Sequence, residues 1–234
     1  MRESLSVVVP VWNEQATIGQ LVKDLDAELA PRVEQLEIIV VDDASTDRTP
    51  AILRCLAAEL RNVRVLRAER NAGHGPSVLR GLAAASGDWI FHIDSDGQLV
   101  VADFGRLWRR RESADLVLGY RVRRRDPVHR LVLSRVVAAC TSLLVGRRLR
   151  DPNVPFKLLR RALWADLAPV VPPDTLAPSI LLVAAAVRRG WRIEQVPVTH
   201  NPRAVGRSSL RAVRLLAFSA RGLGQLVRLR VRLR

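Results

Sequence analysis

Aromatic side chains make up only 4% of the 234 residues. Aliphatic residues must therefore fill the interior, and platforms for stacking nucleic-acid bases are few. Lys23 and Lys157 are the only lysines, so almost every positive charge is an arginine. Cysteine is limited to Cys55 and Cys140, without metal-ligand spacing. Two distant cysteines exclude a disulfide framework and fit a reducing compartment with two inert thiols. No stretch of roughly 18 uncharged apolar residues occurs, so no transmembrane helix is expected. Residues 131–145 and 176–187 are short or interrupted by arginine and read as packed or interfacial helices. The opening residues run directly into a strand pattern, so no secretory leader is expected.

Acidic residues are scarce in one half of the chain. Up to Asp115 there are 14 basic and 18 acidic residues; from Leu116 onward there are 24 and 5. Bias towards arginine explains the number of arginines but not the loss of acids from the same half. The second half is expected to face something anionic: phosphate, acidic lipid or nucleic acid. A nucleic-acid-binding protein is one reading of this charge. The arginines are not interleaved with aromatics and no binding-module signature is present, so no nucleic-acid partner is expected.

What is present is an alternation of apolar runs and helical spacings. Strands are expected at residues 5–10, 36–41, 63–66, 89–93 and 116–119, and helices at 16–29, 50–60, 75–85 and 101–111. Further on, the pattern gives a long helix at 128–145, another at 177–189 stopped by Gly190, and a strand at 192–198. This rhythm predicts an α/β fold with a mostly parallel sheet flanked by helices on both faces. In such folds ligands bind beyond the carboxyl ends of the strands. That rule selects three polar loops.

The first loop is Pro10-Val11-Trp12-Asn13-Glu14. Its polar side chains face the crevice, or Asn13 caps the next helix with Glu14 in the first turn. The second is Asp42-Asp43-Ala44-Ser45-Thr46-Asp47. An acid at a strand end accepts hydrogen bonds from a base or ribose, while Ser45 or Asp47 caps the following helix. The third is Asp94-Ser95-Asp96-Gly97-Gln98. Two carboxylates leaving a buried strand are costly unless a cation or hydrogen bonds compensate them. Hard oxygens suit Mg²⁺ or Mn²⁺, and Gln98 adds a neutral oxygen. The competing reading is a turn with Asp94 as cap and Gly97 at positive φ.

Taken together, these loops resemble the inverting glycosyltransferases of family two, which have the GT-A nucleotide-diphospho-sugar transferase fold. The resemblance covers residues 4–121 and includes a glycine-rich turn, Arg70-Asn71-Ala72-Gly73-His74-Gly75. Within that family the polyprenyl-phosphate (dolichyl-phosphate mannose synthase-like) branch is most similar. The segments that carry this are Gly119-Tyr120-Arg121, Arg130 with Ser134 and Arg135, Arg150-Asp151-Pro152 with Phe156-Lys157, residues 194–198, and Arg203 to Ser209. The resemblance implies donor contacts from Pro10, Val11, Trp12, Asn13, Glu14, Asp42, Asp43, Asn71, Gly75, Asp94, Ser95 and Asp96. It implies metal ligation by Asp94, Asp96 and Gln98, and acceptor-phosphate contacts from Arg121, Arg130, Ser134, Arg203 and Ser208. Asp94, Asp96 and Arg121 would act in catalysis.

The expected reaction moves a hexose from a GDP-mannose- or UDP-glucose-type donor to a polyprenyl phosphate with inversion. A divalent ion would neutralise the departing diphosphate. A phosphate oxygen is already ionised and needs cations rather than a base, which the many arginines supply. The alternatives are transfer to a saccharide or small-molecule hydroxyl, and an Asp-x-Asp phosphatase, which leaves two of the loops unused. One catalytic domain is expected over residues 1–207, with a donor half to about residue 120 and an acceptor half beyond. Residues 208–234 alternate leucine or valine with arginine and are expected to lie on an anionic membrane as a peripheral anchor on its cytoplasmic side. Among the histidines, His92 reads as core, His74 as near the donor, and His200 as near the acceptor or diphosphate.

Overall fold

The computed structural model describes residues 3–122, 128–202 and 224, apart from the side chains of His129 and Arg130. A seven-stranded sheet runs through the described residues in the order β3-β2-β1-β4-β6-β5-β7. Its strands are β1 Leu5–Val11, β2 Leu36–Asp42, β3 Val63–Arg67, β4 Trp89–Ile93, β5 Leu116–Val122, β6 Phe156–Arg160 and β7 Ile193–Thr199. The helices are α1 Ile18–Leu29, α2 Thr49–Glu59, α3 His74–Ala84, α4 Phe104–Trp108, α5 Val128–Val145, α6 Arg161–Leu167 and α7 Pro178–Arg188.

Side chains on a strand alternate between faces, and that alternation divides the core in two. Val7 and Val9 join one cluster with Leu25 and Ile18 of α1, Leu53 of α2 and Phe104 of α4. Val8 and Ile90 join the other, with Val78 of α3, Leu163 of α6 and Leu181 of α7. Phe91 anchors the first cluster edge-on, 4.9 Å from the Phe104 ring and 4.8 Å from that of Phe156. Such pairs add about 0.5–1.5 kcal/mol each beyond the area they bury.

The expected α/β class with helices on both faces is what the fold has. Two departures stand out. The helix expected over 101–111 is helical only from Phe104 to Trp108, after a 3-10 turn at Val101–Asp103. β6 and α6 were not anticipated. β6 is antiparallel to both β4 and β5, while the other adjacent strands pair in parallel. Its amino end therefore arrives at the rim where its neighbours have their carboxyl ends.

Candidate active site

Val11, Asp42, Ile93 and Val122 end their strands at one rim, Phe156 begins β6 there, and β7 leads through Thr199 to His200. Two cavities open along it. The larger is about 550 Å³ and is lined from three of the strand ends by Pro10, Val11, Trp12, Glu14, Asp43, Asp94, Ser95 and Asp96. Asn71, Gly73, His74 and Ser77 form another wall, and Leu176 to Ser179 a third. The smaller, about 130 Å³, is lined by Asp94, Asp96, Gln98, Leu99, Arg121, Asn153, Pro155 and His200. Asp94, Asp96, Asn153 and Pro155 line both, so the two spaces meet between the acidic pair and the loop before β6. The larger is in the size range of small-molecule sites.

The first two loops brace each other. The Asn13 side-chain oxygen accepts the Thr46 N–H at 2.8 Å, and the Asn13 N–H donates to Ser45 Oγ at 2.9 Å. Asn13 therefore ties β1 to β2 and does not cap α1, whose start carries no side-chain cap bond. Asp47 accepts the N–H of Thr49, the first residue of α2, at 2.9 Å from one position before the cap, which is Arg48. Both loops hold a non-glycine residue at positive φ, Asn13 at 54° and Ala44 at 57°. Such strain concentrates where surrounding structure dictates backbone shape.

The two adjacent acids of the second loop divide. Asp42 turns inward, accepting the Ser45 N–H at 2.9 Å and facing Arg67 at 3.2 Å. Asp43 reaches the cavity wall, and its two oxygens accept the N–H groups of Ala72 and Gly73, each at 2.8 Å. It thereby fixes the glycine-rich turn. Asn13, Asp42 and Gly75 lie behind the cavity surface rather than on it. A Cβ on Gly75 would sit 1.7 Å from the Thr175 carbonyl oxygen, so only glycine permits that approach.

Asp94 stands at the junction of the two cavities. Burial works against its charged form, but His74, His92 and Lys157 hold its carboxyl below the ordinary carboxylate range. Its Oδ1 lies 3.4 Å from His92 Nε2 and 3.9 Å from His74 Nε2, yet has no hydrogen bond. His92 is buried, and that burial drives its pKa down despite Asp94. A buried carboxylate oxygen without a hydrogen bond, beside a second acid and an amide oxygen, fits a hard divalent cation. Asp96 Oδ1 accepts the Gln98 N–H at 3.1 Å, and Gly97 takes a φ of 69° between them. The Gln98 amide nitrogen donates to the Asn201 carbonyl at 3.3 Å, which leaves its side-chain oxygen to face elsewhere.

On the far side of the smaller cavity Arg121 grips Asp151 in bidentate fashion, Nε to Oδ2 at 2.7 Å and Nη2 to Oδ1 at 3.0 Å. Ser134 sits partly buried on α5. The side chain of Arg130, Arg203, Ser208 and the tail at 208–234 apart from Gly224 lie outside the described residues. Sequence reasoning missed Asn153, Pro155 and the α7 start as cavity walls. Asp-Pro-Asn at 151–153 is a turn signal, but nothing in the sequence says that this turn faces Asp94.

The chain is similar to several known proteins. The undecaprenyl-phosphate 4-deoxy-4-formamido-L-arabinose transferase of Klebsiella pneumoniae is 28% identical over 216 residues, covering 92% of this chain and 64% of its own length. The dodecaprenyl-phosphate galacturonate synthase of Rhizobium johnstonii is 29% identical over 209 residues, 86% of this chain and 60% of its own. The chain thus spans less than two thirds of the length of these curated relatives. A solved structure of glucosyl-3-phosphoglycerate synthase from Mycobacterium tuberculosis, in complex with Mn²⁺, uridine diphosphate and phosphoglyceric acid, has a TM-score of 0.72 and 25% identity. It covers 97% of this chain and 78% of that one. The family model for glycosyl transferase family 2 matches residues 6–169, well over half of the sequence, and the chain belongs to that family.

Proposed function

We propose that the chain transfers a hexose from a nucleotide diphosphate sugar, of the UDP-glucose or GDP-mannose type, to a polyprenyl phosphate with inversion. The carrying observation is the pair of cavities that share Asp94 and Asp96. The larger one suits the donor: Trp12 is 47% exposed on its wall and offers a flat face, and Asp43 and Asn71 add polar atoms. The smaller one suits an anionic acceptor, with Arg121 as its cation. Relatives acting on undecaprenyl- and dodecaprenyl-phosphate support a lipid phosphate.

Asp94, Asp96 and the Gln98 oxygen would hold Mg²⁺ or Mn²⁺, which when bound supplies Lewis-acid neutralisation of the leaving diphosphate. Asp94 and Asp96 orient the donor at the junction. Arg121, itself oriented by Asp151, steadies the acceptor phosphate in line with the sugar carbon. Among the described residues, the lining of the smaller cavity has no carboxylate besides Asp94 and Asp96 to act as a base. A phosphate oxygen needs none, and attack from the side opposite the diphosphate inverts the anomeric centre.

Membrane contact belongs to the same proposal. Val128, Val132, Val136 and Leu143 are 75%, 52%, 51% and 84% exposed along α5, at a spacing that sets them on one side of the helix. Among the described residues no helix is long and apolar enough to cross a membrane. The exposed apolar side of α5 supports a peripheral enzyme, which we place at the cytoplasmic leaflet with one catalytic unit over 1–207.

A second reading has one observation behind it. His200 is buried at the smaller cavity and is a candidate base for a hydroxyl acceptor. One assay separates the readings. Purified protein is incubated with Mn²⁺, labelled UDP-glucose or GDP-mannose, and either undecaprenyl phosphate or phosphoglyceric acid. Label is expected in the lipid product, and Asp96→Ala is expected to abolish it while the thermal unfolding curve stays within about 1 kcal/mol of wild type. Transfer to phosphoglyceric acid alone would select the hydroxyl reading. Undiminished activity of the Asp96→Ala variant would remove the acidic pair from the chemistry.

A further inference from the structure

β6 carries a charge into the interior that the reaction above does not use. Lys157 is buried, registered across from His92 on β4 and Leu118 on β5. Its ammonium donates to the carbonyl of Val154, in the loop that carries Asn153 and Pro155 to the cavities. Burial lowers its pKa to about 7, Asp151 and Asp94 pull it upward, and Arg121 pushes it down. Burying an ammonium is costly, and a methionine would fill the same space without that cost.

The charges around it give the reason. Arg121 spends two donors on Asp151, and the bidentate pair is close to neutral. A neutral pair attracts a phosphate weakly. A buried cation that interacts with Asp151 offsets that carboxylate and returns a net positive field to the cavity. We propose that Lys157 is a positioning residue that keeps the Arg121–Asp151 pair electropositive towards a phosphate in the smaller cavity, without touching the phosphate itself. This rests on the reading that the smaller cavity receives a phosphate. The same ammonium anchors the loop before β6 through Val154, so charge and geometry act on one wall. The other ionisable groups facing it are Asp94 and His92 of the β4 side.

The test is calorimetric and needs no turnover. Wild type, Lys157→Met and the double variant Lys157→Met with Asp151→Asn are titrated at pH 5.5, well below the Lys157 value of about 7, so that most of the ammonium is charged. The probes are UDP with Mn²⁺ and, separately, farnesyl monophosphate as a soluble prenyl phosphate. Lys157→Met is expected to weaken farnesyl phosphate about tenfold and leave UDP within about twofold. The double variant, which removes one charge of each sign, is expected to regain most of the loss. A role in packing alone would weaken both probes together and would not be rescued by Asp151→Asn. Wild-type affinity in Lys157→Met, or no recovery in the double variant, overturns the proposal. Should the methionine variant fail to fold, Lys157→Gln carries the same comparison. If wild type binds UDP but no farnesyl phosphate, the acceptor reading falls and this inference with it. If wild type binds farnesyl phosphate while Lys157→Met does so equally, the acceptor reading stands and only Lys157 loses its role.

Discussion

Asp94 and Asp96 announce themselves in the sequence because two acids at spacing two rarely follow an apolar strand without a task. Their surroundings do not. Asp94 meets His92 two residues back along β4 and His74 from the start of α3, a contact between distant segments that no spacing rule reports. Arg121 and Asp151 are separated by 30 residues and pair only because β5 and β6 are neighbours. Asp42 and Asp43 are adjacent and look alike, yet one braces its own loop and the other holds the glycine-rich turn. Alternation along an extended backbone separates them, but which of the pair meets the cavity depends on the turn that follows. Gly75 shows how a residue placed by motif among ligand contacts earns its position from behind. Gly75→Ala drives a methyl into the Thr175 carbonyl and must displace the segment leading to Leu176 and Ala177 on the cavity wall. Thermal and urea unfolding should report a loss of at least about 2 kcal/mol. UDP binding should weaken in the same variant; unchanged stability would contradict the close approach.

At the scale of elements, strong periodicity was readable and context-dependent structure was not. β1, β2 and β4 are continuous apolar runs, and α1 and α5 have clear helical spacing; each forms close to where the pattern puts it. β6 reads Phe-Lys-Leu-Leu-Arg, too short and too charged at its second position to declare a buried strand. Partners on both sides make it one. The helix over 101–111 shortens because its apolar spacing ends at Leu107 and Trp108 and arginines follow. The opposite rim of the sheet has its own fastener. Asp115 precedes β5 and accepts Arg160 Nε at 3.1 Å, Arg192 Nε at 3.0 Å and Arg192 Nη2 at 2.9 Å. It joins the entry of β5 to the end of β6 and the entry of β7. Hydrogen bonds from Arg192, against burial, hold its carboxyl below the usual range. A lowered folded-state pKa means stabilisation that is complete above the unfolded value of about 4 and is lost as pH falls through the folded value. Asp115→Asn should therefore cost about 1–3 kcal/mol at pH 7. The gap from wild type should begin to narrow below about pH 4, where the unfolded chain takes up a proton at Asp115, and should close only as pH falls through the lowered folded value. Denaturant titrations at pH 7 and pH 3.5 check this; a gap that does not narrow would assign the loss to packing.

Across the whole molecule, the charge division of the sequence maps onto the sheet. The acid-balanced part supplies β1 to β4, α1 to α4 and most of the larger cavity, and the arginine-rich part supplies β5 to β7 and Arg121. The exposed side of α5 belongs to the basic part. Apolar surface flanked by positive charge is suited to an anionic bilayer. Val132→Asp with Val136→Asp should lower binding to phosphatidylglycerol vesicles at least about tenfold, since each valine contributes about 1.5 kcal/mol when buried. Stability should change by less than about 1 kcal/mol because both side chains already face water. Co-sedimentation across a salt series measures the first and thermal unfolding the second. Vesicle binding that ignores both substitutions would move the contact away from α5.

The reversed direction of β6 sets a limit on how this architecture tolerates length change. Phe156 and Leu158 serve one cluster and Leu159 the other, with Lys157 turned to the same side as Leu159. Deleting a single residue between Asp151 and Phe156, or adding one, and letting the strand slide to compensate would swap every side chain across the sheet. The ammonium would then meet the phenylalanine layer, and a phenyl ring would meet His92. Natural or designed variation in the reach of this loop is therefore confined to changes of sequence at constant length, or to insertions that bulge outward before the strand begins.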